Sequence, residues 1–268
     1  MKLFAKREIT ALESAAAQEG LPLSDMMEQA GQAIAREILD RWGPVAKKKI
    51  LLLCGKGNNG GDGFVCARIL AGWGANCTVL LVQGPPTTGL AQEAFLRLPK
   101  LPVIPWEAGR EDILDHAQIV VDCVYGSGFR GRLPEDAAAL FRQANRLPCR
   151  RVSADLPSGA VCDSGQADPD TFQAHVTVAF TGEKPAHRSF PAKEYCGETV
   201  VRQVGIPGAL ADPWETAAFV PQLSQAAQAF PPLDPQANKG DQGRLLLVCG
   251  SYGMAGACIM AAKAALRT

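Results

Sequence analysis

The stretch that decides the fold is Lys49-Ile50-Leu51-Leu52-Leu53-Cys54 followed by Gly55-Lys56-Gly57-Asn58-Asn59-Gly60-Gly61-Asp62-Gly63. The first part is a short run apolar on both faces, the pattern of a strand buried in a parallel sheet. The second is a glycine-rich turn, and the apolar spacing beyond it predicts a helix over Gly63–Trp73. Strand, glycine turn and helix in that order place backbone N–H groups at a helix N-terminus, facing any anion that sits there. Gly55-x-Gly57-x-x-Gly60 matches the dinucleotide fingerprint letter for letter. Its companion is missing, because the following strand ends Leu81-Val82-Gln83 with no acid to hold a ribose diol. No lysine follows Gly60 or Gly61, so the phosphate loop of the nucleoside triphosphatases does not fit either. What is left over is Asn58-Asn59 and Asp62, two amides and a carboxylate in one turn, more polar side chains than a tight turn requires.

The same texture runs outward in both directions. Downstream, apolar runs at Asn76–Val82, Val103–Ile104, Gln118–Cys123, Arg151–Ala154, Val176–Phe180 and Thr199–Val204 read as strands. Helical spacing falls at Leu90–Leu98 and Glu135–Arg146. The expected fold class is α/β, a Rossmann-like three-layer α/β/α sandwich with a mostly parallel sheet. Upstream, Arg7–Glu19 and a helix capped by Ser24 and stopped at Gly43-Pro44 carry apolar stripes. After Ile206-Pro207 the composition turns to Ala, Gln and Pro, and residues 209–237, including Pro231-Pro232, read as a linker. Gly243–Gly250 then reads as a fresh strand leading into a small-residue helix. We expect a first domain over 1–208 and, over 238–268, the truncated start of a second.

Composition narrows the class. The 268 residues are 47% hydrophobic and 20% charged, enough for a core and too apolar for a disordered chain. Lys plus Arg and Asp plus Glu are 27 each, a balance that argues against nucleic-acid or membrane-surface binding. Uninterrupted apolar runs such as Ile50–Cys54 are far short of the ~20 residues of a membrane helix. The opening MKLFAKREIT places charge where a signal peptide needs apolar residues. Nine cysteines, an odd number with no CxxC pair, read as free thiols in a reducing cytoplasm. A homo-oligomer is expected.

Two more strand ends carry chemistry. Val121-Asp122 precedes Gly126-Ser127-Gly128-Phe129-Arg130-Gly131-Arg132, and Asp155-Leu156-Pro157-Ser158-Gly159 follows the next strand. Ligands of open α/β sheets bind beyond the carboxyl ends of the strands, so these loops and the first one should rim one crevice. Arg130 and Arg132 suit phosphate, and solvated surface arginine is the alternative. One carboxylate, Asp122, among the neutral oxygens of Asn59 and Ser158 suits a weakly charged cation better than Ca²⁺, zinc or copper. His116, His175 and His187 are dispersed and read as non-catalytic.

Taken in order, these residues resemble the NAD(P)H-hydrate epimerase family, the YjeF N-terminal domain. The resemblance rests on Met27-Glu28-Gln29-Ala30-Gly31, on Gly57–Gly63, and on Val121-Asp122 with Gly126-Ser127-Gly128. It continues through Asp155–Gly159 and Phe180 with Lys184 to Val204-Gly205-Ile206-Pro207, covering about residues 7 to 208. Ser127 stands where threonine is usual, and His175 where an acid is common. Asn238-Lys239-Gly240-Asp241, Gly243-Arg244 and Gly250-Ser251 resemble the opening of an ADP-dependent, ribokinase-like NAD(P)H-hydrate dehydratase. The resemblance implies a metabolite-repair enzyme that interconverts the S and R forms of NADHX and NADPHX, nicotinamides hydrated at ring carbon 6. It implies K⁺ held by Asn59, Asp122 and Ser158. It implies substrate contacts from Asn58, Asn59, Gly60, Gly61, Asp62, Gly126, Ser127, Gly128, Phe129, Arg130, Gly131, Arg132 and Asp155. Asp155 is our candidate acid/base, with Lys184 as the next ionisable candidate. Two other readings stay open: a non-catalytic scaffold of the same fold, and a nucleotide-dependent dehydratase or kinase-like enzyme judged from the C-terminal segment.

Overall fold

The computed structural model describes residues 1–107, 111–228, 234–238, 240–241 and 243–267. It divides into two units, Met1–Val220 and Pro221–Thr268. In the first, β1 (Lys2–Leu3) leads into α1 (Lys6–Gln18) and α2 (Leu23–Trp42). Then follow β2 (Lys49–Cys54), α3 (Asn58–Gly72), β3 (Asn76–Leu81), α4 (Gly89–Leu96), β4 (Val103–Pro105), β5 (Ile119–Cys123), α5 (Glu135–Arg146) and β6 (Arg150–Ala154). The unit closes with β7 (Val176–Phe180), α6 (Ala192–Cys196), β8 (Glu198–Arg202), α7 (Gly208–Ala211) and β9 (Ala218–Phe219).

Seven strands form one sheet in the order β4-β3-β2-β5-β6-β7-β8, and every pair in it is parallel. The fold is thus the expected α/β sandwich. Leu52, Cys54, Val79 and Val121 face one core with Ile34, Phe64 and Leu70. Leu51, Leu53, Leu80 and Val120 face the other with Leu140 and Phe141. Central strands buried on both faces explain why their sequences run apolar without alternation. Strand order reverses between β2 and β5, the topological switch point where ligands of this architecture bind.

Three local expectations are corrected. The helix after β2 begins at Asn58, not Gly63, so Asn58–Asp62 are its first turn rather than a loop. Gly60 and Gly61 keep that turn tight: a Cβ on Gly60 would meet the Gly55 carbonyl oxygen at 1.9 Å, and one on Gly61 the Met27 methyl at 2.5 Å. Ser24 does not cap α2, which starts one residue earlier with Pro22 at the cap position. Residues 243–250 form no strand. Leu245, Leu246 and Val248 are exposed there, and a strand needs a neighbouring strand to pair with. The second unit contains α8 (Leu223–Gln228) and α9 (Ala255–Ala265). Pro231-Pro232 and Lys239 lie outside the described residues.

The first unit also extends beyond residue 208, because β9 pairs antiparallel with β1, Lys2 opposite Phe219 and Leu3 opposite Ala218. The packing of α2 explains the helix motif Met27–Gly31 read above. Glu28 pairs with Arg68, Gly31 packs on Val65, and Gln29 lies against Gly205, so the motif clamps α2 to α3 and to the segment after β8.

Two measurements test this architecture. Gly60→Ala should destabilise the protein by about 1–3 kcal/mol, since the clash is with backbone that cannot rotate away. Gly72→Ala, at a helical position with open space around it, should instead be neutral or stabilise by up to about 1 kcal/mol. Equal melting temperatures for the two variants would contradict the packing described. Removing residues 221–268 should leave the melting temperature of the first unit nearly unchanged, while removing 209–268 should lower it by stripping β9 from β1.

Candidate active site

The cavity at the switch point has a volume of ≈ 940 Å³. It is walled by α1, the start of α3, the segment after β5, and the ends of β6 and β7. Of the residues singled out in the sequence, Asn58, Asn59, Asp62, Gly126, Ser127, Gly128, Phe129, Arg130, Arg132 and Asp155 line it. Gly60, Gly61 and Gly131 do not: the first two are buried in helix packing, and Gly131 takes a turn at φ +79°. Asp122 and Ser158 lie fully buried beneath the cavity. A second cavity, ≈ 910 Å³, opens at the other edge of the sheet by Lys49, Asn76 and Lys100. It lies at the amino ends of β2 and β3, away from the glycine-rich segments.

Asp155 sits immediately after β6 with φ +61°, a left-handed conformation that asparagine and aspartate tolerate better than other residues. Its carboxylate pairs with the Lys184 ammonium, which also donates to the Phe180 carbonyl at 2.8 Å. Lys184 is 1% exposed and its pair with Asp155 is therefore desolvated on the lysine side. The Phe180 N–H lies 3.4 Å from the same Asp155 oxygen. Two further carboxyls face this pair across the cavity, Glu13 from α1 and Asp62 from α3. Burial raises the pKa of both. The charge of Asp155 adds to each, and Glu13 adds further to Asp62. The cavity thus presents a carboxylate paired with a buried lysine opposite two carboxyls that retain protons more readily than carboxyls in water.

Beneath the floor, Asp122 collects donors. The Ser158 N–H reaches Oδ2 at 2.7 Å, the Ser158 hydroxyl reaches Oδ1 at 2.5 Å, and the Val124 N–H lies 3.2 Å from Oδ1. Burial pushes its pKa up to about 6, and those hydrogen bonds hold it from rising further. Ser158 in turn accepts the Tyr125 N–H at 2.8 Å, and its hydroxyl has a second acceptor in reach, the Tyr125 carbonyl at 3.3 Å. Asn59 leans on Gly126, where a Cβ would sit 3.1 Å from its Oδ1, and its buried Nδ2 has no partner. Asp122, Ser158 and Asn59 therefore converge on Val124–Gly126.

Cations gather at the cavity's mouth. Lys6, Lys56, Arg130 and Arg132 line it. Asp163 organises two of them, accepting the Lys6 backbone N–H at 2.7 Å and the Arg130 guanidinium at 3.3 Å. Lys6 Nζ lies 3.3 Å from where a Gly128 side chain would begin. Sequence reasoning missed Lys6 and Glu13. The signal was their spacing, since residues 6, 9, 10 and 13 share one face of α1, but only the apolar positions of that helix were read. His175 accepts the Arg151 N–H outside the cavity, whereas His187, set aside with it, touches the site.

A parallel sheet with its order reversed between β2 and β5, a glycine-packed helix start and an ion pair at the strand ends define a Rossmann-like domain with an enzyme-type cavity. The crystal structure of yeast ynu0 (YNL200c) shares the fold, with a TM-score of 0.69 at 22% identity over 84% of this chain and 98% of that one. The YjeF-related protein N-terminus family matches residues 23–186. The NAD(P)H-hydrate epimerase of Elusimicrobium minutum is 32% identical, covering 77% of this chain and 97% of its own length. The bifunctional NAD(P)H-hydrate repair enzyme Nnr of Coxiella burnetii is 35% identical across 99% of this chain and 54% of its own. The chain belongs to the YjeF-related N-terminus family. It spans about half the length of the bifunctional relatives it matches.

The Asp122 network makes a direct prediction. Ser158→Ala removes the hydroxyl donor from a fully buried carboxylate and the acceptor of the Tyr125 N–H. It should lower stability by about 1–3 kcal/mol or more, and Ser158→Thr, which keeps the oxygen, should lose less. Chemical denaturation of both variants reads the difference.

Proposed function

We propose that this protein interconverts the S and R epimers of NADHX and NADPHX at nicotinamide carbon 6. The observation that carries the reading is the Asp155–Lys184 pair, set at the switch-point cavity beside the start of α3. In this reading the substrate's phosphates lie toward the N–H groups of Asn58–Gly60 and toward Lys6, Arg130 and Arg132, by the attraction of helix N-termini and guanidinium groups for anions. Asn58, Asn59, Asp62, the Gly126–Arg132 segment and Asp155 contact the substrate. Gly60, Gly61 and Gly131 contribute by letting the backbone turn and pack tightly.

The chemistry asks for proton traffic at the C6 hydroxyl. One carboxyl delivers a proton to that hydroxyl, and it leaves as water while the ring nitrogen's lone pair forms a C=N bond. Water then adds to the opposite face of C6, and a carboxylate takes up the proton it releases. Atoms and charge balance over the cycle, and the product differs only in configuration. Asp155, paired with Lys184, is suited to take up the proton and to stabilise the cationic ring.

Potassium is part of the same proposal. Asp122, Ser158 and Asn59 form a hard-oxygen set with a single charge. The orphaned end of the Asn59 amide needs only a half-turn to present an oxygen, and the Ser158 hydroxyl has the Tyr125 carbonyl as an alternative acceptor. These residues fit a monovalent cation, which when bound would supply positive charge beneath the floor of the cavity. We further propose a cytoplasmic homo-oligomer. Seven buried, unpaired thiols suit a reducing compartment, and among the described residues no helix is long and apolar enough to cross a membrane. Residues 238–268 are read as the truncated start of a ribokinase-like dehydratase domain.

Epimer exchange followed with purified S- or R-NADPHX tests the proposal. Turnover should be measurable, should fall when K⁺ is replaced by a bulky organic cation, and should drop about 10²–10⁴-fold in Asp155→Asn with substrate affinity largely kept. No exchange by the wild-type protein, with ligand binding intact, would favour the scaffold reading. Native turnover in Asp155→Asn would move the acid/base role elsewhere.

A further inference from the structure

The two ring nitrogens of His187 hold the backbones of the two members of the ion pair. The Lys184 N–H donates to Nδ1 at 2.9 Å, and Nε2 lies 2.8 Å from the Asp155 carbonyl oxygen. An amide N–H can only donate and a carbonyl can only accept, so the partners fix the tautomer: Nδ1 bare, Nε2 protonated and donating. A protonated ring could not accept at Nδ1. Burial, reinforced by the Lys184 charge, keeps the ring neutral by pushing its pKa down to about 4. His187 is 2% exposed and does not line the cavity, so it acts from behind the pair.

What the bridge secures is an unfavourable backbone. Asp155 has φ +61°, and such conformations persist only where their surroundings over-determine them. Here the Asp155 N–H donates to the Val178 carbonyl at 2.8 Å, its carbonyl accepts from His187, and its carboxylate accepts from Lys184. Asp155 follows β6 and Lys184 lies beyond the end of β7. Of these contacts, the imidazole alone spans both backbones. It thereby sets the spacing from which the carboxylate and the ammonium reach one another.

We infer that His187 is a positioning residue for the epimerisation. By bridging the Asp155 carbonyl and the Lys184 N–H, it aims the Asp155 carboxylate into the cavity. The inference rests on the reading that Asp155 exchanges the substrate's protons. A displacement of the order of 1 Å at a reacting group can cost about 100-fold in rate, so the bridge has leverage without touching substrate.

The test uses the full chain and the epimer-exchange assay, at a temperature where circular dichroism shows every variant folded. His187→Leu removes both contacts. His187→Gln keeps a donor at the Nε2 position, and His187→Asn keeps only an acceptor at the Nδ1 position. Asp155→Asn runs alongside. His187→Leu should lose about 10- to 100-fold in kcat with KM changed less than about threefold, and His187→Gln should recover most of the loss. A residue that only stabilises the fold would lower the melting temperature and leave kcat untouched. If His187→Leu does not fold, the comparison of Gln with Asn decides, with Asn expected to be the slower. Native kcat in His187→Leu, or in both the Gln and Asn variants, overturns the inference when Asp155→Asn is crippled. Native kcat in Asp155→Asn overturns the underlying reading and the inference with it.

Discussion

Everything in the first unit is arranged around a backbone-to-backbone contact too close for any side chain. At the point where strand order reverses, Gly60 lies on the Gly55 carbonyl, and a Cβ on Gly55 would meet the Val124 carbonyl oxygen at 2.1 Å. Gly63 packs on side chains instead, the Cys54 sulfur and the Cys123 Cβ lying 2.7 and 2.8 Å from the place a Cβ would take. Because no atom intervenes, the start of α3 is pulled down onto β2 and β5. Its unpaired N–H groups then face the same crevice as the strand ends. Asn59 is carried onto Gly126 and Asp62 toward Asp155 by that closeness alone.

The fold was legible in the sequence because its cause is local and repeated. Strands buried on both faces read as apolar runs, and Lys49–Cys54 and Val176–Phe180 fall where that reading places them, as the helix Glu135–Arg146 falls where helical spacing does. The rest needed information that no short window holds. Whether Gly243–Gly250 is a strand depends on a partner elsewhere, and the apolar run looks the same with or without one. The pairing of Lys2–Leu3 with Ala218–Phe219 joins residues more than two hundred apart. Asn58–Asp62 reads as a loop because glycine and asparagine disfavour helix, yet packing against Gly55 and Met27 makes it one.

The site divides in the same way. Its strand-end residues announce themselves, since a carboxylate closing an apolar run has few structural reasons to be there. Glu13 and Lys6 do not, because on a helix a charged residue beside an apolar stripe usually marks the solvated face. His187 is legible only in three dimensions, as its partners are a carbonyl and an amide rather than side chains. The buried pair it supports also limits substitution. Removing either partner of such a pair typically costs 3–5 kcal/mol because it strands the other charge. Evolutionary variation at Asp155 and Lys184 therefore has to be concerted.

The meeting of the two ends of the first unit has a consequence for how the chain can be re-threaded. The Met1 amino group donates to the Val220 carbonyl at 2.7 Å, and the Val220 N–H returns a bond of the same length to Met1. The polypeptide is thus a ring in all but covalent bond, and its opening could be moved. A short bridge from residue 220 back to residue 1, with new ends cut in a surface turn such as that between α4 and β4, would preserve every strand neighbour. The same closeness makes the unit compatible with insertion into a host loop, where a host supplies both flanks and the sheet is left intact.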